Sequence, residues 1–280
     1  MSTDVADTLA RLRATFDSGK TADLGWRKRQ LEGVIALVRE HEQQLCDALA
    51  ADLGKPPFDA WLAELNMVKD EAAHAIKHLG SWAGRKKASV PIVTQPSQAW
   101  TQAQPVGVAL IIVPWNYPVQ LALAPAVAAL SAGCAIVIKP SELAPATSAA
   151  LAELIPKHLD PDAVAVVEGA VDVTTELLEQ QWDHILFTGS TRVGQVVMEA
   201  AAKHLTPVTL ELGGKSPTIV AADADLKVAP SASLGARRST PARPARRRTT
   251  CSSRRRWPTS SATWSTRWRR SGTRRRRPRS

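Results

Sequence analysis

Val106-Gly107-Val108-Ala109-Leu110-Ile111-Ile112-Val113 carries no polar side chain and is stopped by Pro114-Trp115-Asn116-Tyr117-Pro118. It reads as a short buried strand, and residues 119–131 then supply a helix-length apolar stretch before a second strand over 135–138. The alternation continues. Strands are expected at 164–167, 184–187 and 208–210, and helices at 146–158, 174–181 and 191–204. Short apolar strands separated by helices predict an α/β fold with a doubly wound parallel sheet. Right-handed crossovers then place every strand's carboxyl end on one edge, which is where such sheets bind their ligands.

Upstream, residues 4–80 read as helices. In the stretch from Trp26 to Glu40, Leu31, Val34, Ile35 and Val38 recur at helical spacing with charge opposite. Residues 59–78 repeat the theme, and this layer is assigned no chemistry. His74 and His78 share a helix face but lack a third ligand, so no metal site is expected there. Between 89 and 104, alternation in Val90-Pro91-Ile92-Val93 and around Trp100 suggests strands that leave the helical layer.

The net charge of +10 averages two different polypeptides. Of the 36 basic residues, 17 arginines lie in 230–280, which holds no Asp or Glu; the remainder carries 19 basic against 26 acidic residues, a net of −7. Cys46, Cys134 and Cys251 are too scattered for a disulfide framework or a CxxC metal site, which points to a reducing, cytoplasmic setting. No charged residue occurs from Ala88 to Ile138, yet Pro105, Pro114, Pro118 and Pro125 interrupt the run. A membrane span needs about 20 continuous apolar residues, so buried strands and a core helix are expected instead.

Four of the five expected strand ends carry a polar motif. Asn116, held between prolines, either braces a turn or donates its carboxamide to an oxyanion. In Ile138-Lys139-Pro140-Ser141-Glu142, the lysine and carboxylate form a surface pair or grip ribose hydroxyls. Gly189-Ser190-Thr191-Arg192-Val193-Gly194 opens a helix whose exposed amides suit a pyrophosphate, and Ser190 is equally a good N-cap. Leu210-Glu211-Leu212-Gly213-Gly214 ends a strand with a carboxylate backed by two glycines, where backbone can pass close to a ligand.

In this order and at these separations, the four motifs resemble the aldehyde dehydrogenase superfamily, in particular the branch of coniferyl and fatty aldehyde dehydrogenases. The resemblance extends from the start of the chain to about residue 228. It implies a modified Rossmann-type fold without GxGxxG, a helical layer over 1–88, an oligomerisation-type β-extension over 89–104 and a dinucleotide domain over 105–228. It also implies a homodimer in the intact family member. Asn116 would polarise an aldehyde carbonyl, and Glu211 would activate the water that hydrolyses a thioester. NAD, with NADP as the alternative, would lie against Ile112, Pro114, Trp115, Lys139, Ser141, Glu142, Gly189, Ser190, Val193, Gly194, Leu212 and Gly213. Glu142 would repel a 2′-phosphate, whereas Lys139 would tolerate one. Cys134 stands where relatives usually carry Asn and is read as packing.

Beyond residue 228 the resemblance stops. The family's nucleophilic cysteine belongs in a segment like Asn-Ala-Gly-Gln-Thr-Cys, and at that place this sequence has Thr240-Pro241-Ala242-Arg243-Pro244-Ala245. Those residues can be encoded ACG CCG GCC AGA CCT GCG. Preceded by A and regrouped, the same bases read AAC GCC GGC CAG ACC TGC, or Asn-Ala-Gly-Gln-Thr-Cys. Residues 247–252, encoded CGC CGG ACT ACG TGC TCx, likewise regroup to Ala-Pro-Asp-Tyr-Val-Leu. The reading frame is therefore expected to change near residue 228. The 229–280 tail, with Leu234 its one branched aliphatic residue, is expected to be disordered and unable to build a core. Its arginines, with Trp257, Trp264 and Trp268, could bind nucleic acid without sequence preference, which leaves a non-enzymatic cofactor-binding remnant as the alternative function. Sequencing the coding DNA around codon 228 should reveal the family-like segment in a shifted frame; its absence from all three frames would remove the frameshift reading.

Overall fold

The computed structural model describes residues 5–215, of which those up to Gly213 form one compact unit. The expectations for the basic tail lie outside the described residues. The chain opens with helices α1 (Val5–Asp17), α2 (Leu24–Glu40) and α3 (Glu42–Leu53). A short α4 (Pro57–Ala60) then runs through a π-helical turn at Trp61–Leu65 into α5 (Asn66–Ala83). Asp23 caps α2 by accepting from the Trp26 amide at 2.7 Å, and of the predicted stripe Leu31, Val34 and Val38 are buried and Ile35 is half-buried.

An antiparallel pair follows, β1 (Lys86–Ala88) with β2 (Ala99–Thr101). The alternation at 90–93 does not form a strand. Ile92–Thr94 is a 3₁₀ turn entered through Pro91, which has no amide to donate to a ladder.

The main sheet has five strands, all parallel, in the order β5-β4-β3-β6-β7. They are β3 (Val108–Ile112), β4 (Ala135–Lys139), β5 (Val164–Val166), β6 (His184–Gly189) and β7 (Val208–Leu212). Between them run α6 (Gln120–Ala132), α7 (Pro145–His158), α8 (Val171–Glu179) and α9 (Thr191–Ala202). The expected fold class is the one observed. β3 starts two residues later than expected because Gly107 sits at φ 137°, and a Cβ there would lie 2.0 Å from the Asp183 carboxylate that caps Val108 N at 2.7 Å.

Every residue of β3 and β4 is buried, and α6 packs between them and helices α2 and α5. An apolar helix covered over most of its surface, with only the small Ala128 and Ala132 exposed, explains why α6 carries no charge. Among the described residues, no helix is long and apolar enough to cross a membrane. The buried Arg27 guanidinium ties α2 to α6 by donating to Thr21 O, Ala22 O and Ser131 O at 3.0, 3.1 and 3.3 Å. Cys134, read as packing, is buried beside it.

His41, between α2 and α3, meets His158 at the end of α7 with 3.0 Å between their Nε2 atoms, so one ring must be neutral to accept. Burial and the neighbouring His41 push the His158 pKa down, and burial does the same to His184. The folded state thus binds fewer protons than the unfolded chain. The stability these groups contribute is complete above about pH 6.5, the unfolded value, and is lost as pH falls through the lower folded values. The melting temperature should fall between pH 7.5 and pH 5.5, and less steeply in His158→Gln; parallel pH profiles for parent and variant would refute the assignment.

Candidate functional site

Strand register fixes where the motifs lie. Ile112 pairs with Lys139 on one side and Phe187 on the other, and Phe187 pairs with Leu210, so these four residues form one row across the sheet's carboxyl edge. Neighbouring strands are about 4.8 Å apart, which makes the row roughly 14 Å long. Lys139 stands near one end, Glu211 lies one residue past the other, and the turns bearing Asn116 and Ser190 leave from between. The edge predicted from topology therefore gathers all four motifs.

Asn116 lies in the bend after β3, half-buried, and its carboxamide makes no hydrogen bond to the described residues. Ile112 is buried at the strand end, with Pro114 and Trp115 half-buried beyond it. Beneath this bend sits a group from the helical layer, to which the sequence alone assigns no chemistry. Glu64, fully buried on the π-helical turn, pairs with the buried Lys55 amine and accepts from Val119 N and Gln120 N at 2.8 and 3.2 Å. Burial pushes the Glu64 carboxyl above its ordinary value, against the pull of Lys55 and the two amides. Lys55 Nζ also lies 3.5 Å from Asn116 O and 4.2 Å from the centre of the Tyr117 ring. A signal was available: Ala60, Glu64, Leu65 and Val68 continue one helical stripe, and a carboxylate within a core stripe demands a partner.

Lys139 is not on the turn after β4, as expected, but is the strand's last residue, with its side chain 3% exposed. Its amine donates to Glu142 at 2.9 Å, and that carboxylate is 41% exposed. Partial burial works to raise the Glu142 carboxyl, but the hydrogen bond and charge of Lys139, with a backbone amide, together hold it below its ordinary value. The buried Ser141 hydroxyl accepts from Leu143 N at 3.3 Å and shapes the turn.

On the other side of β3, Gly189 ends β6 and Ser190 caps α9, accepting from Val193 N at 3.3 Å. Ser190 is exposed and Val193 half-buried, so the first turn of α9 presents its remaining amides outward. Gly194 is buried, and a Cβ there would approach Leu212 Cδ2 to 2.8 Å; this glycine lets α9 close against β7. Glu211 lies within β7 opposite Thr188, and its side chain is exposed. Leu212 is 41% exposed. No atom of the described residues lies within 4 Å of a Cβ placed at Gly213.

The donor set suits a dinucleotide: outward amides and a hydroxyl at a helix start for a pyrophosphate, and a lysine–carboxylate pair for sugar hydroxyls. Among the described residues, no group of three or more His, Cys, Asp or Glu could hold a metal.

The sequence profile of the aldehyde dehydrogenase family matches residues 1–239. Aldehyde dehydrogenase family 3 member H1 of Arabidopsis thaliana is 47% identical over 227 residues, 81% of this chain and 47% of that protein. The dimeric NADP-preferring aldehyde dehydrogenase of Canis lupus familiaris is 46% identical over 225 residues, 80% of this chain and 50% of that one. The chain thus spans about half the length of the curated relatives it matches. Among solved structures, the substrate-bound Staphylococcus aureus AldH superposes with a TM-score of 0.79 at 36% identity, covering 81% of this chain and 50% of the other. The NAD⁺ complex of a Bacillus cereus aldehyde dehydrogenase gives 0.72 at 30% identity, covering 80% and 46%.

Glu142→Ala would leave the Lys139 amine without its carboxylate. Urea unfolding should show a loss of about 1–2 kcal/mol, as for a buried donor deprived of a charged acceptor. A loss under about 0.5 kcal/mol would mean that the pair behaves as an ordinary surface bridge.

Proposed function

The chain belongs to the aldehyde dehydrogenase family, and we propose that residues 1–228 are its dinucleotide-binding half, built to hold NAD at the carboxyl edge of the parallel sheet. The observation that carries this reading is the row Lys139, Ile112, Phe187 and Leu210, which aligns the sugar pair, the carbonyl-polarising turn, the phosphate-binding helix start and Glu211 on one edge. In this reading Ser190 and the α9 amides take the pyrophosphate, Lys139 and Glu142 take a ribose, and Ile112, Pro114, Trp115, Ser141, Gly189, Val193, Gly194, Leu212 and Gly213 wall the site. When bound, the cofactor supplies the hydride acceptor for aldehyde oxidation.

In an intact enzyme of this family Asn116 would hold the carbonyl oxygen of an aldehyde and stabilise the charge that develops on it. Glu211, solvent-exposed, would withdraw a proton from the water that releases the acid. The nucleophile is the missing element. Thr240-Pro241-Ala242-Arg243-Pro244-Ala245 stands in place of the cysteine segment, so this polypeptide binds cofactor but does not turn over aldehyde. NAD is favoured because the carboxylate of Glu142 faces solvent where a 2′-phosphate would lie; the name of the dog relative and the adjacent Lys139 keep NADP as the competitor. The domain division at 88, 104 and 228, the homodimer of the intact enzyme and a cytoplasmic location belong to the same proposal.

A second reading rests on the 17 arginines of 230–280, which would give salt-sensitive binding to nucleic acid. Thermal unfolding with NAD, NADP or a short RNA, at low and high salt, separates the two. NAD at a hundredfold excess over its dissociation constant should stabilise the fold by about 2.7 kcal/mol at either salt concentration. Absence of NAD protection would refute the cofactor reading. RNA binding that vanishes at high salt, and on deletion of 230–280, would support the second. Aldehyde-dependent NADH formation abolished by Glu211→Gln would overturn the claim of inactivity.

A further inference from the structure

We infer that Lys55 and Glu64 are positioning residues that hold the Asn116 carboxamide at the carboxyl end of β3. The Asn116 side chain bonds to none of the described residues, so its direction is set by its backbone. That backbone is fixed from below. Glu64 accepts the two amides, Val119 N and Gln120 N, with which the chain enters α6, and Lys55 reaches Asn116 O and the Tyr117 ring from the same point. One buried ion pair thus touches residues 116, 117, 119 and 120.

Burying two charges is costly, and an apolar pair of similar volume would serve stability as well or better. What an apolar pair could not do is bind the amides at the start of α6 and a carbonyl of the bend at once. The helix geometry is also adapted to this. The π-helical turn at Trp61–Leu65 carries both Glu64 and Leu65 into the core at 0% exposure, and the carboxylate there meets the positive end of α6. The role assigned to Asn116 rests on the proposed function; the placement of the bend does not.

The sequence provides its own reporters, since Asn66 and Asn116 are the chain's two asparagines and Tyr117 its one tyrosine. The full chain, labelled with ¹⁵N-asparagine and ring-¹³C tyrosine, is compared with Lys55→Met/Glu64→Gln, which leaves no unpaired buried charge. The Asn116 amide lines and the Tyr117 ring lines should shift or broaden. The Asn66 carboxamide, bonded to Asp70 at 2.9 Å on the exposed face of α5, should keep its position, and the melting temperature should change by only a few degrees. Superposable Asn116 and Tyr117 lines would overturn the inference. So would a shift shared equally by Asn66, or a double variant that fails to fold, because the pair would then be a general core element. NAD protection of the parent sample is recorded in parallel. Its absence counts against the cofactor reading alone, because the Asn116 and Tyr117 lines decide the role of the pair whether or not NAD binds.

Discussion

The structure depends on β3 being paired in parallel on both sides. A strand with neighbours at each edge and helices over each face has no position for a charge, and all five of its residues are buried. Parallel neighbours cannot be joined by a tight turn, so each return to the sheet requires a helix, and α6 to α9 supply these crossovers. All carboxyl ends then share one edge, and polar groups can enter there without breaking the ladder. The polar motifs are concentrated at the strand ends and in the turns that follow them, because the fold leaves them little other room.

The helical layer does more than cover this sheet. It grips the two helices that follow β3 and β4 by their ends. Glu64 binds the amides at the start of α6, and Arg27 binds the Ser131 carbonyl near its finish. Each buried charge has the sign that the α6 dipole favours at its end. Asp52 likewise accepts from Ala146 N and Thr147 N at 3.0 and 2.8 Å, fixing the start of α7. The turns that precede these helices carry Asn116 and Glu142. The first eighty-odd residues therefore set where the site residues stand, although they contribute little to the edge itself.

Strands and crossover helices were legible because burial on both faces leaves an apolar run that no other placement explains. Their limits were less so. The strand at 106–113 loses its first residues to the backbone conformation of Gly107, which apolar character does not reveal. Lys139 joins β4 despite its charge because Glu142 neutralises it from the following turn. At 90–93 alternation was misleading, since Pro91 outweighs side-chain pattern. The grip of the helical layer was invisible for a different reason. Asp52 and Lys55 look like solvated residues at a helix end and in a loop, and the groups they and Glu64 grip lie far along the chain, 94 residues on in the case of Asp52 and Ala146. Only Glu64 betrayed itself, by falling in a core stripe.

The two sides of β3 are finished to different degrees, and the difference matches the tasks proposed for them. On one flank of β3, β4 is buried throughout and the edge strand β5 is buried or half-buried, and the bend with Asn116 is anchored by buried charge. On the other side, β7 is the last strand among the described residues; its residues are half-buried or exposed, as are Met198 of α9 and Leu212. A dipole that stabilises developing charge works best when it does not move, and Asn116 sits on the most constrained part of the edge. A base that takes its proton from water must remain within water's reach, and Glu211 sits on the least covered part. The fixed group and the accessible group are thus separated by the same asymmetry of burial that builds the sheet.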